Sequence, residues 1–179
     1  MKTREDLIER LRRGETFDFL FFWGHTPKEN GVVDKSCLSQ WFPSAFVVEG
    51  VRYASAEHFM MAEKARLFRD EEMLGKILES KTPAEAKAFG RAVSNYDDRA
   101  WGRFRSEAVV RGNVAKFDQN ANLRTFLLGT GEKVIVEASP RDRIWGIGMG
   151  ASNPDARDPK KWRGLNLLGF ALMEARVSL

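Results

Sequence analysis

The sequence has little of the residue types that build disulfide frameworks and metal sites. Its 179 residues include one cysteine, Cys37, and two histidines, His25 and His58. A single thiol excludes a disulfide framework within the chain, and so few cysteine and histidine ligands make a clustered metal site unexpected. The sequence also lacks an apolar signal core at its start and any apolar run of membrane-spanning length. A cytoplasmic protein with no cofactor and no membrane partner is therefore expected.

The chain also lacks a large excess of charge of one sign. The chain has 29 basic and 25 acidic residues, a net charge of +4. Because the basic residues are scattered among acids, the pattern does not indicate bulk nucleic-acid binding, but it is compatible with a phosphorylated sugar or nucleotide. Thirteen phenylalanines and five tryptophans supply rings for a core and for stacking on a flat ligand.

Local patterns predict one helix-rich α+β domain, residues 1–179, around a small β-sheet. Helix starts are expected after the capping residues Thr3, Ser55, Thr82, Asp98 and Asn120, and a last helix at 165–177. Strands are predicted at 17–23, 46–48, 51–53 and 134–136, the middle two joined by a Glu49-Gly50 turn. Residues 27–39 and 147–160 are expected to form loops. There is no internal repeat and no alternation of strands and helices typical of βαβ units.

The segment after the predicted hairpin contains the first candidate site. Glu57 and Lys64 are seven residues apart, which places them on nearly the same face of a helix, about 10 Å apart along its axis. Since side chains lean toward the helix N-terminus, Lys64 reaches back toward Glu57, and one small reacting group fits between them. A carboxylate and an amine in this arrangement suit chemistry at an anomeric carbon. A solvated charged face is the alternative.

The position of Glu57 leads to an expectation about its charge. With Ser55 as the capping residue, Glu57 lies in the first turn, where the helix dipole and free amides favour a carboxylate. We therefore expect Glu57 to be ionised and to orient an amine or hold a ribose hydroxyl. Lys64 lies near apolar residues such as Phe68, which can lower its charge and make it a nucleophile.

Other candidates have structural alternatives of similar weight. His58 is either a hydrogen-bonded structural histidine or a proton shuttle. Trp101 is either a core residue or a ring that stacks on a base. Asp142 follows a buried strand and is well placed for a pocket, although pairing with Arg141 and Arg143 also explains it. The run 146–150 is glycine-rich but lacks the nucleotide-motif spacing, so a flexible loop is as good an explanation as a phosphate cradle.

The order of several motifs resembles the NADAR family, also called YbiA-like. They are Phe21-Phe22-Trp23-Gly24-His25, Cys37-Leu38-Ser39-Gln40-Trp41-Phe42-Pro43, Tyr53-Ala54-Ser55-Ala56-Glu57-His58, Met61-Ala62-Glu63-Lys64-Ala65, Gly112-Asn113-Val114-Ala115-Lys116-Phe117, Val136-Glu137-Ala138-Ser139, Asp142-Arg143-Ile144-Trp145-Gly146-Ile147-Gly148 and Trp162-Arg163-Gly164-Leu165-Asn166-Leu167-Leu168-Gly169. The resemblance covers about 17–179 and implies a YbiA-like fold.

The resemblance implies an N-glycosidase that cleaves an amine-linked ribose. The expected substrate is a small phosphorylated N-riboside, namely a phosphoribosylaminopyrimidine of riboflavin biosynthesis, or an ADP-ribosylated guanine in a nucleotide or nucleic acid. It assigns catalysis to Glu57, Lys64 and Asp142. It assigns substrate binding to Trp23, Gly24, His58, Trp101, Arg141, Arg143, Trp145, Gly148 and Asn166. The two arginines would meet phosphate, and Trp101 and Trp145 would form aromatic walls.

Two departures and two mechanisms accompany this assignment. The loop 151–161 is longer than in simpler members, and Met60 and Met61 stand where many members carry an aromatic residue and a glutamine. In one mechanism Lys64 forms a Schiff base at the anomeric carbon and Asp142 handles a proton. In the other, Glu57 or Asp142 activates water directly. A module that binds ADP-ribose or NAD without turnover is the non-enzymatic alternative, and the oligomeric state is left open.

Overall fold

The structure, a computed structural model, describes residues 1–29 and 31–179, so Asn30 of the predicted loop 27–39 lies outside the described residues. Within these ranges it forms an α+β fold, as predicted. The helices are α1 (Arg4–Arg12), α2 (Ala56–Leu67), α3 (Glu71–Glu79), α4 (Pro83–Arg91), α5 (Asp98–Asp118), α6 (Ala121–Gly129) and α7 (Leu167–Ser178). The strands are β1 (Phe19–Phe22), β2 (Phe46–Val48), β3 (Val51–Tyr53) and β4 (Val134–Glu137).

Two separate strand pairs form the β-structure of the described residues. β2 and β3 make the predicted antiparallel hairpin, with Glu49 at φ 50° and Gly50 at φ 78° in its two-residue turn. β1 and β4 pair in parallel, so that Phe19 is opposite Val134 and Phe22 is opposite Glu137. The sequence predicted both strands but not this parallel pairing, because the residues that join them form helices and a hairpin rather than one crossover helix.

The helix starts follow capping chemistry at most positions. Thr82 caps α4 as predicted: its hydroxyl accepts from the Glu85 amide, and the Glu85 carboxylate accepts from the Thr82 amide. Asp97, one residue before the expected Asp98, caps α5. The sequence analysis missed α3, whose cap, Asp70, follows α2 after a three-residue break. The predicted loops 27–39 and 147–160 contain short 3-10 turns at Lys35–Leu38, Pro154–Arg157 and Pro159–Lys161.

Helix α2 lies in the centre of the molecule and packs against α3, α4 and α5. Its buried residues surround the helix on nearly all sides, which is why it lacks an amphipathic pattern. Two glycines allow the close crossings. A Cβ at Gly90 of α4 would lie 2.1 Å from the Met61 sulfur, and one at Gly112 of α5 would lie 2.5 Å from a Phe59 ring carbon. The site residues of α2 are therefore held by tightly packed neighbours.

The C-terminal helix closes the other side of the core. α7 packs against α5 and β4. The backbones of α7 and β4 come so close that a Cβ at Gly169 would lie 2.1 Å from the carbonyl oxygen of Ile135. In the described ranges, no helix combines the length and apolar character that a bilayer crossing requires.

Candidate active site

Glu57 begins the central helix α2 and is almost completely buried. The residue is 2% exposed, and its backbone amide donates to the carbonyl of Gln40 at 3.0 Å. Ser55 is the N-cap residue of α2 and Glu57 lies in its first turn, as predicted. Among the described residues the Ser55 hydroxyl caps no backbone amide and instead lies 2.8 Å from Nδ1 of His58.

The environment of Glu57 favours its neutral form more than expected. Burial raises the pKa of Glu57 to about 7, although the cation of Lys87 and the indole N–H of Trp41 oppose the shift. The negative charge of Asp142 raises it further. Within the described part of the chain, Oε1 of Glu57 has no hydrogen-bond partner. The carboxyl group can therefore exchange a proton near neutral pH and has one oxygen available to a ligand.

A second carboxyl group, half-buried and with one buried oxygen, lies near the first. Glu137 is the last residue of β4, and burial raises its pKa to about 8, with the negative charges of Asp142 and Glu57 adding to the shift. Its Oε2 atom lacks a hydrogen-bond partner in the described ranges. The sequence analysis did not identify Glu137, although its place at the end of a buried strand was the signal that pointed to Asp142.

Asp142 is anchored by its own turn. Its Oδ1 atom accepts hydrogen bonds from the amides of Ile144 at 2.8 Å and Trp145 at 2.7 Å. Its charge acts on both Glu57 and Glu137, which brings the strand-end loop and the start of α2 to one site. The structure thus brings together two of the three residues proposed for catalysis, Glu57 and Asp142.

Helix α4 supplies positive charge to this site. Lys87 acts on both buried carboxyl groups, and its amine lies 5.7 Å from the centre of the Trp41 ring. Arg91, one helical turn later, also lowers the pKa of Glu57. Sequence analysis singled out neither Lys87 nor Arg91, and no local pattern distinguishes them from other surface cations. Their contribution follows from the packing of α4 on α2.

Lys64 lies farther along α2 in a different environment. Its amine donates to the carbonyl of Gly90 at 2.7 Å and lies 4.2 Å from the centre of the Tyr96 ring. Burial lowers the pKa of Lys64, and the nearby charge of Arg91 lowers it further. A neutral fraction of the amine is thereby favoured, but the amine must leave the Gly90 carbonyl to attack a substrate.

His58 and Trp101 are both buried. Burial lowers the pKa of His58, although a backbone contact at Ser80 opposes the shift, and the described residues offer its Nε2 atom no hydrogen-bond partner. Trp101 lies in the first turns of α5, 7% exposed, with its ring 6.3 Å from that of Phe104. Met60 and Met61 are also buried, and Met61 packs on Gly90, so both serve the core.

Four predicted binding residues lie on the surface around the strand ends. Trp23 follows β1 directly and is 64% exposed, and Gly24 beside it has φ 86°. Arg141 and Arg143 flank Asp142 and are both exposed. An exposed indole and two guanidinium groups near buried carboxyl groups suit a flat, phosphorylated ligand.

The other three predicted binding residues belong to the packed loop. Trp145 is half-buried, with the Arg105 guanidinium 6.0 Å from its ring centre. Gly148 is buried at φ 69°, where a Cβ would meet side-chain atoms of Arg143 and Arg163 at 3.1 and 3.0 Å. The amide group of Asn166 donates to the Ile135 carbonyl and accepts from the Glu137 amide, both at 2.9 Å. In this structure Asn166 therefore holds β4 rather than facing open space.

Comparison with known proteins supports one class of enzyme. The model of the NADAR domain matches residues 21–179. An N-glycosidase of Acanthamoeba polyphaga mimivirus is 42% identical over 167 residues, which cover 90% of this chain and 96% of the relative. The N-glycosidase YbiA of Escherichia coli is 31% identical over 132 residues, 74% of each chain. The NMR structure of E. coli YbiA superimposes with a TM-score of 0.72 at 26% identity, covering 92% of this chain and 86% of that one.

These likenesses and the buried carboxyl groups define the chain as an α+β hydrolase that acts on N-glycosyl bonds. The family model extends over most of the sequence, and the similarity to the viral relative extends over nearly all of it. The chain belongs to the NADAR family.

Proposed function

We propose that this chain hydrolyses the C–N bond between a ribose and an amine of a base in a phosphorylated N-riboside. The observation that carries the proposal is the carboxyl group of Glu57. It is buried, has one oxygen without a protein partner among the described residues, and has a pKa raised by burial to about 7. A base with a pKa near the working pH is suited to take a proton from an attacking water.

The surroundings of Glu57 support direct attack by water. Asp142 is anchored by two amides and lies near enough to act on the Glu57 charge, so its second oxygen can hold a ribose hydroxyl. A carboxyl pair of this kind stabilises an oxocarbenium-like centre in glycoside hydrolysis. The amine of Lys64 is bound to the Gly90 carbonyl, so a Schiff base on Lys64 requires a rearrangement that the water route does not.

The rim of the site supports ADP-ribosylated guanine as the substrate. Trp23 exposes a flat indole, and the exposed guanidinium groups of Arg141 and Arg143 suit a diphosphate. A phosphoribosylaminopyrimidine has one phosphate and a smaller base, and uses less of this rim. It is the second substrate to be tested, and both would be cleaved at an amine-linked ribose.

Base release from both substrates, measured side by side, tests this proposal. We expect wild type to release the base from an oligonucleotide carrying ADP-ribosylated guanine, and Lys64→Arg to keep part of that activity if the amine acts by its charge. Borohydride added during turnover would trap a mass adduct on Lys64 if a Schiff base forms. Repeated absence of the adduct, with turnover intact, supports direct attack by water.

Lys76→Ala is the matched control, because Lys76 of α3 is exposed and pairs with Glu72 on the helix surface. Its base release should equal that of wild type. Tight binding of ADP-ribose without release from either substrate would contradict the proposal and make the chain a binding module. Release from the phosphoribosylaminopyrimidine alone would keep the hydrolytic proposal and reject ADP-ribosylated guanine as the substrate.

A further inference from the structure

The backbone of Glu137 is fixed on both sides, while its side chain is not. The Glu137 amide donates to Asn166 Oδ1 at 2.9 Å, and the Glu137 carbonyl accepts from the Ile147 amide at 2.9 Å. Parallel pairing with β1 places Phe22 opposite it. Its Oε2 atom, by contrast, is buried and has no hydrogen-bond partner in the described ranges. The strand end is thus rigid, and the unpartnered group is the carboxyl itself.

The loop that carries Asp142 is pressed onto this strand end. A Cβ at Gly146 would lie 2.8 Å from the Glu137 carbonyl oxygen and 3.1 Å from that of Asp142. The distance between the strand end and the Asp142 turn is therefore set by backbone contact. The backbones of Glu137 and Asp142 therefore cannot move apart without a change in the loop.

Groups from three elements face the Glu137 carboxyl. Glu57 from α2 and Asp142 from the loop bring negative charge, and Lys87 from α4 brings positive charge. Neighbouring carboxyl groups in a buried site do not all ionise, so one of them keeps its proton. Glu57 has the Lys87 cation and the Trp41 indole N–H beside it, which favour its charged form, whereas Glu137 has the negative charges of Asp142 and Glu57 beside it. These surroundings make Glu137 the group that keeps the proton.

A purely structural role does not account for this arrangement. A buried carboxyl oxygen without a partner destabilises the fold by about 1–3 kcal/mol, so a structural position of this kind is usually filled by an apolar or hydrogen-bonded group. On α2, the buried Glu63 follows that rule, since its two oxygens pair with Arg66 at 2.7 Å and Arg111 at 2.5 Å. Glu57 and Glu137 each have an oxygen that no described residue hydrogen-bonds, so it is open to a ligand or water.

We propose that Glu137 is the general acid of the site, the residue that protonates the departing base while Glu57 takes a proton from water. This role rests on the proposed hydrolysis. As the C1′–N bond breaks, its electron pair stays on nitrogen, and the Glu137 proton moves to that nitrogen. The water oxygen bonds to C1′, and one water proton moves to Glu57. The products are the free base and ribose with an anomeric hydroxyl, and a proton then passes from Glu57 to Glu137 to restore the starting state.

The test is the pH profile of kcat/KM for wild type and Glu137→Gln, on whichever substrate wild type cleaves. We expect a bell in which Glu57 governs the acid limb and Glu137 the alkaline limb. Glutamine has the shape of the protonated carboxyl but cannot donate that proton. Glu137→Gln should lower kcat by about 100-fold or more with KM within about threefold, and the residual rate should lose its alkaline limb. An unchanged kcat or an unchanged alkaline limb in Glu137→Gln would overturn the assignment.

Glu132→Gln is the matched control, because Glu132 is exposed in the turn before β4. It should leave the whole profile unchanged. A second measurement uses wild type alone and so does not depend on how the variant folds: NMR titration of the glutamate carboxyl carbons after ¹³C labelling, with the Glu137 signal assigned through its bonds to the backbone. A Glu137 signal that titrates between pH 7 and 9 supports the role, and titration below pH 5 overturns it. If wild type cleaves neither substrate, the proposed function fails, while this titration still reports on Glu137.

Discussion

Lys116 and the carboxyl pair Glu57 and Glu137 differ in whether their buried polar atoms have hydrogen-bond partners. Lys116 of α5 is fully buried, and its amine donates to the carbonyls of Cys37 at 2.6 Å and Ser39 at 2.9 Å. Glu57 is buried and Glu137 is half-buried, yet one buried oxygen of each lacks a partner in the described part of the chain. Proteins pair buried polar groups unless another requirement prevents it.

Lys116 positions the segment of chain to which the backbone of Glu57 is hydrogen-bonded. By holding the Cys37 and Ser39 carbonyls, Lys116 holds the turn that leads to Gln40 and Trp41. The Gln40 carbonyl then accepts the Glu57 amide. The amine of Lys116 is thus satisfied within the protein, whereas Glu57 keeps one oxygen without a partner in the described ranges.

The largest expected effect is a loss of activity in Glu57→Gln, which tests the comparison within helix α2. Glu57→Gln should lower base release by about 10³-fold, since the water-activating carboxylate is lost. Its free energy of unfolding at pH 8 should equal or exceed that of wild type, because a buried carboxyl group without a full set of partners is removed. Steady-state assays and urea denaturation measure the two quantities.

Glu63→Gln is the reciprocal variant, because Glu63 is paired with Arg66 and Arg111. It should lower the free energy of unfolding by about 2 kcal/mol and leave kcat nearly unchanged. If Glu57→Gln destabilised the protein as much as Glu63→Gln, the distinction between partnered and unpartnered groups would fail.

The next effect is the pH dependence of stability. The pKa of Glu57 rises from 4.5 to about 7 on folding, so the folded state binds more protons between these values. The contribution of Glu57 protonation to the free energy of unfolding is therefore fully present below about pH 4.5 and is lost as the pH rises through 7. For Glu57 this amounts to roughly 3 kcal/mol, at about 1.4 kcal/mol per pKa unit. The raised pKa of Glu137 acts in the same direction up to about pH 8.

Denaturation at a series of pH values should therefore show wild-type stability falling between pH 5 and 8. The double variant Glu57→Gln/Glu137→Gln should show a flatter curve over the same range. Identical slopes for the two proteins would mean that these carboxyl groups titrate normally in the folded state.

The smallest effect concerns the partnered group. Lys116→Met keeps the apolar stem but leaves the Cys37 and Ser39 carbonyls without their donor, so the free energy of unfolding should fall by about 2 kcal/mol. Burial lowers the pKa of Lys116, so the folded state binds fewer protons than the unfolded one above neutral pH, and this contribution rises with pH. The gap between wild type and variant should therefore widen toward pH 9. Lys76→Met, at an exposed surface pair, should change stability by less than about 0.5 kcal/mol.

Local rules were sufficient for much of the fold. The Thr82 cap, the Glu49-Gly50 hairpin and the strand at Val134 depend on neighbouring residues, and all three were confirmed. The missed helix α3 begins at Glu71, after a break of three residues that includes Arg69 with φ 56° and the cap Asp70. A break so short, without proline or glycine, leaves no clear signal in the sequence that one helix ends and another begins.

The site was predicted in part, and the missing part is nonlocal. Motif order and spacing led to Glu57, Lys64 and Asp142, whose roles remain predictions. The charge of Glu57 was misjudged because burial, the main cause of its raised pKa, comes from segments distant in the sequence, such as the one that places the Gln40 carbonyl, 17 positions earlier, on the Glu57 amide. Glu137 and Lys87 were missed because their burial and charge environment arise only when α4, β4 and the Asp142 loop meet.

The parallel pairing of β1 with β4 has a consequence for how fast the protein reaches its native state. Phe19 is opposite Val134, a separation of 115 positions (134 minus 19). Pairing across so long a segment gives a high contact order, which slows folding. Helices α2 to α5 consist of local contacts and can form earlier. We therefore expect the pairing of β1 with β4, which fixes the backbone of Glu137, to form later in folding than these helices.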